Sequence, residues 1–180
     1  MLQAPDTIAT ERLVLRRPAV SDAEAIFEYA HDIEVTRYMD WPTQRSVETV
    51  IERLQSCPQR WETGEEFQWV VTLRPHDRAI GGISCRVRGH SADFGYVLNR
   101  QYWRRGIATE AARAVVAWVS TLEPVYRLWA TSDIDNPASV RVLEKAGLSR
   151  EGILRCYAIR PNISQLPRDA FVYAKVRGAV

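Results

Sequence analysis

Between Phe67 and Leu98 the chain alternates apolar and polar residues three times, in FQWVVTL, AIGGISCRV and ADFGYVL, interrupted by the turn-forming RPHD and RGHS. Period-two alternation gives a strand one side-chain set per face, and connections this short join antiparallel neighbours. Three antiparallel strands are therefore expected at the middle of the chain. Everything before and after must pack on that sheet or extend it.

Leu13 to Arg16 alternates as a first strand, and Ser21-Asp22 offers an N-cap for a helix through Ala25, Ile26 and Tyr29. A second helix is expected from near Ser46, turning Val50, Ile51 and Leu54 inward and stopping at Pro58, with TRYMDWPTQ as the loop between. After NRQYWRRG comes an amphipathic helix carrying Ala108, Ala111, Ala112, Val115, Val116, Val119 and Leu122 on one face, ended by Pro124. RLWAT reads as a strand. Asn136 followed by Pro137 opens a helix that closes at Gly147, with Leu148 as its apolar contact. REGILR and AFVYAKV complete the sheet, and the segment Cys156 to Ala170, holding Pro161 and Pro167, is expected to be a structured lid or long hairpin loop. The order β, α, α, three β, α, β, α, β, β predicts an α/β sandwich of mixed strand direction.

The 180 residues, 46% hydrophobic and 26% charged, suit one globular domain over residues 1–180. A net charge of +2, spread along the chain, argues against nucleic acid as a partner. The longest apolar run, Ala114 to Val119, is six residues, far below the ~20 of a membrane helix. No membrane partner is expected. MLQAPDTIATERL lacks a secretory pattern and reads as a short frayed tail, so a cytoplasmic protein is expected. Cys57, Cys85 and Cys156, like His31, His76 and His90, are scattered, which predicts reduced, mostly buried thiols and no metal site.

DFGYVLNRQYWRRGIAT, Asp93 to Thr109, puts a strand, an arginine pair and a glycine directly before a helix. A helix start offers unsatisfied N–H groups and a partial positive charge, and a glycine lets an anion approach them. Arg104, Arg105 and Thr109 add charge and a hydroxyl. Neither G-x-x-x-x-G-K-[ST] nor G-x-G-x-x-G is present, so P-loop and dinucleotide fingerprints are both missing. The same residues also read as a solvated turn into a helix.

YWRRGIATEA resembles the acyl-coenzyme A pyrophosphate loop of the GNAT superfamily of N-acetyltransferases, and its tryptophan form resembles the ribosomal-protein N-terminal acetyltransferase branch, the RimJ and RimL type. TERLVLR, FGYVLNRQYWRRGIATEA, NPASVRVLEKAGL, REGILR and RDAFVYAKV extend the resemblance in the family's order over nearly the whole chain. It implies the GNAT fold, a mixed, mostly antiparallel sheet flanked by helices and splayed between its fourth and fifth strands, here Asp93 to Leu98 and Arg127 to Thr131. It also implies acetyl-coenzyme A as cofactor and direct transfer to a primary amine in a ternary complex. The acceptor would be a protein N-terminus or a small molecule, and the protein a monomer or homodimer. An acyl-coenzyme A sensor of the same fold is the alternative, since Leu143 stands where many relatives carry a tyrosine acid.

By the same resemblance, Val97 and Leu98 hold the pantetheine arm, the Val97 amide donating to the thioester oxygen, and Arg104, Arg105, Gly106, Ile107, Ala108 and Thr109 hold the pyrophosphate. Asn136 contacts the pantetheine and Ser139 protonates the leaving thiolate, although both also read as an ordinary helix cap. Asp93 is the candidate base, or a carboxylate exposed at a strand start. Tyr38, Trp41 and Tyr157 line the acceptor mouth or serve as packing anchors. Glu110 reads as serving the helix dipole.

Overall fold

The computed structural model describes residues 3–178. Its elements follow the expected order. β1 (Thr7–Ala9) and β2 (Leu13–Arg16) precede α1 (Ala23–Ala30), the single turn α2 (Ile33–Thr36) and α3 (Val47–Glu62). β3 (Phe67–Leu73), β4 (Ala79–Arg88) and β5 (Ser91–Leu98) are the three central runs. Then come α4 (Ile107–Ser120), β6 (Arg127–Asp133), α5 (Pro137–Lys145), β7 (Ser149–Arg160) and β8 (Ser164–Val176). The strands form one sheet in the order β1-β2-β3-β4-β5-β6-β8-β7, in which β5 and β6 pair in parallel and the other neighbours antiparallel. This is an α/β fold with a mixed, mostly antiparallel sheet between helices.

Alternation along the strands sorts the core into two faces. Leu15, Trp69, Ile83 and Phe94 cluster with Ile107, Ala111 and Val115 of α4, while Val70, Ala79 and Val97 face Ala25, Tyr29 and Ala30 of α1. At about 1.5 kcal/mol or more each, Ile107, Val115, Val116 and Val119 anchor α4 by at least roughly 6 kcal/mol. The start of this helix is thus fixed from behind, and its outward amides are left to other tasks.

Three local expectations change. The N-terminal stretch read as a frayed tail contributes β1, whose Thr7–Ala9 pair with Val14–Arg16. α3 runs through Pro58 to Glu62, because Trp61 beyond the proline packs edge-on against Phe67 and Trp69 at centroid distances of 5.3 and 5.1 Å. The segment from Cys156 to Ala170 is mostly strand, with a tip of three residues, Pro161–Ile163, between β7 and β8. Pro167 is tolerated there because β6 pairs with β8 only over Ala170–Val176, so its missing N–H faces no neighbour on that side. Cys156 bulges out of β7 at φ 47 and is exposed, so burial of the thiols holds for Cys57 and Cys85.

Candidate active site

β5 and β6 pair only over Ser91–Asp93 and Arg127–Trp129. Beyond that point Phe94–Leu98 stay on β4 and Ala130–Asp133 stay on β8, and the sheet parts between them. At about 3.3 Å per residue the resulting slot is about 13–16 Å long. The Asn99 amide donates to the Ile80 carbonyl at 2.9 Å, and the β4–β5 hairpin closes on Arg88 and Ser91. In an alternating antiparallel ladder this commits the Val97 main chain to Gly82 and turns that of Phe94, Tyr96 and Leu98 toward the departing β6. The thioester role expected of the Val97 amide is corrected on this ground, since its N–H belongs to the β4 ladder. The slot-facing amides are those of Tyr96 and Leu98. The Leu98 carbonyl accepts from Trp103 Nε1 at 2.8 Å, folding the next loop back onto the strand end.

That loop reaches α4 through two left-handed residues, Arg104 at φ 62 and Gly106 at φ 77. Glu110 is the first residue of α4 whose amide has a partner, the Gly106 carbonyl at 3.0 Å. The amides of Arg104 to Thr109 have no partner among the described residues. With the helix dipole behind them and the exposed Arg104 and Arg105 beside them, they form an anion cradle. Its back is tied to the β1–β2 corner. Arg12 donates from Nη1 to the Arg105 carbonyl at 3.1 Å and from Nε to Glu110 Oε2 at 2.7 Å. Thr10 Oγ1 and the Arg12 amide donate to Glu110 Oε1 at 2.6 and 3.0 Å. Partial burial pushes the Glu110 carboxyl up, but these bonds from Thr10 and Arg12 hold it below its usual value. Glu110 is therefore an anchor for the loop rather than a charge left to the dipole, and Arg12 is the partner that the sequence did not reveal.

An open groove runs from Gly106 along Thr109 and Arg113 to Lys145. A second hollow, between α1 and the turn after β5, lies off the slot, and its charges are spoken for, Arg78 by Glu28 and Arg100 by Asp32.

Across the slot, α5 begins with Asn136, whose Oδ1 accepts from the Ser139 amide at 3.1 Å. This is the helix cap its sequence suggests, and it leaves the Asn136 side-chain NH2 available. Tyr96, not singled out from the sequence, reaches from β5 and donates to Ser139 Oγ at 2.9 Å. Burial pushes the Tyr96 hydroxyl up to about 12, so it remains a donor at neutral pH. Ser139 consequently accepts on one side and has its own hydrogen to give elsewhere. Leu143, in the same helix, is a core residue.

The face opposite α4 is roofed by the arm of β7 and β8. Asn162 at its tip accepts from the Thr43 amide and hydroxyl at 2.9 and 3.0 Å, and donates to the carbonyls of Thr36 and Trp41 at 2.7 and 3.0 Å. Tyr38 donates to the Asp135 carbonyl at 2.8 Å, and Trp41 packs against the cluster of Tyr29, Ala30 and Val35. Tyr38 and Trp41 thus both lie on the loop that Asn162 ties to this arm, each with a packing or hydrogen-bond partner of its own. Tyr157 stands apart, exposed in the bulge of β7.

Asp93 lies at the closed end of the slot, buried rather than exposed. Its Oδ2 accepts from Arg86 Nε at 2.9 Å and from Arg86 Nη2, and its Oδ1 from Arg88 Nη1 at 3.2 Å. Both carboxylate oxygens are therefore already engaged by guanidinium donors across the β4–β5 hairpin. The role of base expected for Asp93 is corrected to one of holding β4 and β5 together.

Compared with known families, residues 12–149 match the model of the acetyltransferase (GNAT) domain. The chain belongs to the GNAT acetyltransferase family. It is 32% identical over 173 residues to the uncharacterized N-acetyltransferase YoaA of Bacillus subtilis, covering 94% of this chain and 96% of that protein. The fold matches the microcin C7 self-immunity acetyltransferase MccE, solved with acetyl-CoA and AMP, at TM-score 0.82 and 20% identity over 93% of this chain and 94% of that one. It also matches the Salmonella typhimurium acetyltransferase that modifies the N-terminal serine of ribosomal protein L7/L12, at TM-score 0.81 and 18% identity over 95% and 99%. As a GNAT N-acetyltransferase the protein uses acetyl-CoA as acetyl donor. The residues present fit that donor, since the unpartnered amides ahead of α4 suit a diphosphate and the parted strands suit an extended arm with amide groups.

Proposed function

We propose that the protein transfers an acetyl group directly from acetyl-CoA to a primary amine, either a protein N-terminal α-amine or a small-molecule amine, within a ternary complex. The observation that carries this reading is the parting of β5 from β6 with the open amides of α4 at its mouth. Bound acetyl-CoA supplies the activated acyl group. The amides of Arg104, Arg105, Gly106, Ile107, Ala108 and Thr109 hold its diphosphate, and the slot-facing main chain of Tyr96 and Leu98 holds its arm, with the Asn136 side chain opposite.

The Leu98 amide polarises the carbonyl, a role that a fixed donor fills at no reorganisation cost. The acceptor amine arrives neutral under the arm of β7 and β8 and forms the new C–N bond as the C–S bond breaks. Ser139 gives its hydroxyl proton to the departing sulfur while Tyr96 returns one to Ser139 Oγ, and a proton from water restores the Tyr96 hydroxyl. The surplus proton of the amine leaves through water, because Asp93 is held by Arg86 and Arg88. Placement of two reactants in line is the larger part of the rate gain.

Titration calorimetry with acetyl-CoA, followed by a thiol-release assay over peptides and small amines, tests this reading. Cofactor binding with acceptor-dependent thiol release is expected. Binding without release from any acceptor would instead indicate a sensor of the same fold, and absence of binding would refute the site.

A further inference from the structure

Arg160, the last residue of β7, is 8% exposed, yet its guanidinium makes no hydrogen bond or ion pair with any other described residue. None of its nitrogens is sealed from solvent without a partner. A buried cation of this kind normally has its donors filled, because taking it out of water costs several kcal/mol. Its surroundings explain how it is tolerated and why it stays open. Asp133, at the end of β6, lies close enough to feel its charge. Both Asp133 oxygens are already engaged, Oδ2 by Arg168 Nε at 2.8 Å and Oδ1 by Arg168 Nη2 and the Asp135 amide, each at 3.0 Å. Two residues on, Asn162 pins the arm to the loop holding Tyr38 and Trp41. Arg160 therefore sits at the end of β7, near the end of β6 and two residues from the Asn162 anchor.

We infer that Arg160 binds an oxyanion carried by the acceptor, so that the preferred substrate is an amine bearing a carboxylate or a phosphate close to the reacting nitrogen. A planar guanidinium with five free donors matches either group in a two-bond fork. The neighbouring Arg168 cannot do this, since Asp133 and Asp135 occupy it. This inference rests on the acetyl-transfer reading and adds the class of acceptor to it.

The test compares matched acceptors on the full-length protein: L-amino acids against their carboxamides, and phosphoethanolamine against ethanolamine. In the wild type the anionic member of at least one pair should have a kcat/KM at least about 10-fold higher, and the pair that shows it tells carboxylate from phosphate. Arg160→Gln should raise KM for that anionic acceptor about 10- to 100-fold, the loss of a charged hydrogen-bond pair, and leave its neutral partner unchanged. Arg160→Lys should keep part of the preference. Acetyl-CoA affinity should be the same in all three proteins. The inference is overturned if neutral acceptors react as well as anionic ones in the wild type, or if Arg160→Gln keeps the preference. It is also overturned if a protein that binds acetyl-CoA neither acetylates nor binds any anionic probe. Should Arg160→Gln not fold, the wild-type preference and Arg160→Lys decide. Loss of acetyl-CoA binding in the wild type would refute the acetyl-transfer reading instead.

Discussion

Gly106 separates the two jobs of the loop ahead of α4. Its φ of 77 is a left-handed value, where an ordinary L-residue costs about 1–2 kcal/mol. A Cβ there would meet Arg12 Nη2 at 3.5 Å, an ordinary contact, so the protein itself leaves room for a side chain. Gly106→Ala should therefore lower Tm by about 2–8 °C, from roughly 2–4 °C per kcal/mol for a chain of this size. Asparagine tolerates the left-handed region, so Gly106→Asn should melt close to wild type. Both variants put a side chain, next to Arg12, on the loop whose open amides are assigned to the phosphate. Losing one charge-assisted hydrogen bond, about 1.5–3 kcal/mol, should weaken acetyl-CoA at least about 10-fold by titration calorimetry. If Gly106→Asn folds and binds acetyl-CoA like the wild type, the anion does not approach this glycine and the loop assignment fails.

Tyr96→Phe leaves Ser139 without its donor and should reduce kcat about 10-fold while acetyl-CoA affinity holds; Ser139→Ala should do the same, and the double variant should be no worse than either single one if they act as a unit. Asp93→Asn strips Arg86 and Arg88 of their shared partner, so it should destabilise the fold, seen in thermal melts, without altering the alkaline limb of the rate profile; a flattened limb would restore Asp93 as base. Asp133 gives the clearest pH dependence. Burial alone would raise its carboxyl, but the bonds from Arg168 and the Asp135 amide hold it below its usual value. A carboxyl lowered in the folded state adds stability that is complete above its unfolded pKa of about 4 and is lost as pH falls through the folded value. Asp133→Asn should thus cost about 1–3 kcal/mol at pH 7, since Arg168 keeps Asp135 as a partner, and denaturant midpoints of variant and wild type should draw together as pH falls below about 4.

Most of the fold was legible because its signals are local. The period-two runs of Phe67–Leu98, the apolar stripe of α4 and the Asn136-Pro137 cap each act within a few residues. The left-handed closure at Gly147, φ 91, and the Leu148 amide on the Leu143 carbonyl at 3.1 Å are equally short-range. What the sequence hid depends on partners far apart in the chain. Pro58 looked like a stop because Trp61 was not known to reach Phe67 and Trp69. Asp93 looked free because nothing in its own strand shows Arg86 and Arg88 across the hairpin. Tyr96 sat in an alternating run that reads as core, and only α5 packed beside the slot turns its hydroxyl into a donor for Ser139. The roles of Arg12 and Asn162 likewise appear only when distant loops meet. Val97 and Leu98 cannot be told apart by strand pattern alone, since which residue of a strand points its amide into the gap is set by the register against β4.

The most direct test follows backbone amide resonances of the isotopically labelled protein during titration with acetyl-CoA. Large shifts should appear first at Arg105 through Thr109, and then at Tyr96 and Leu98, with Val97 and Gly82 nearly still. Shifts concentrated in the hollow beside Glu28 and Arg78, with the start of α4 unmoved, would contradict the assignment of cofactor and slot together.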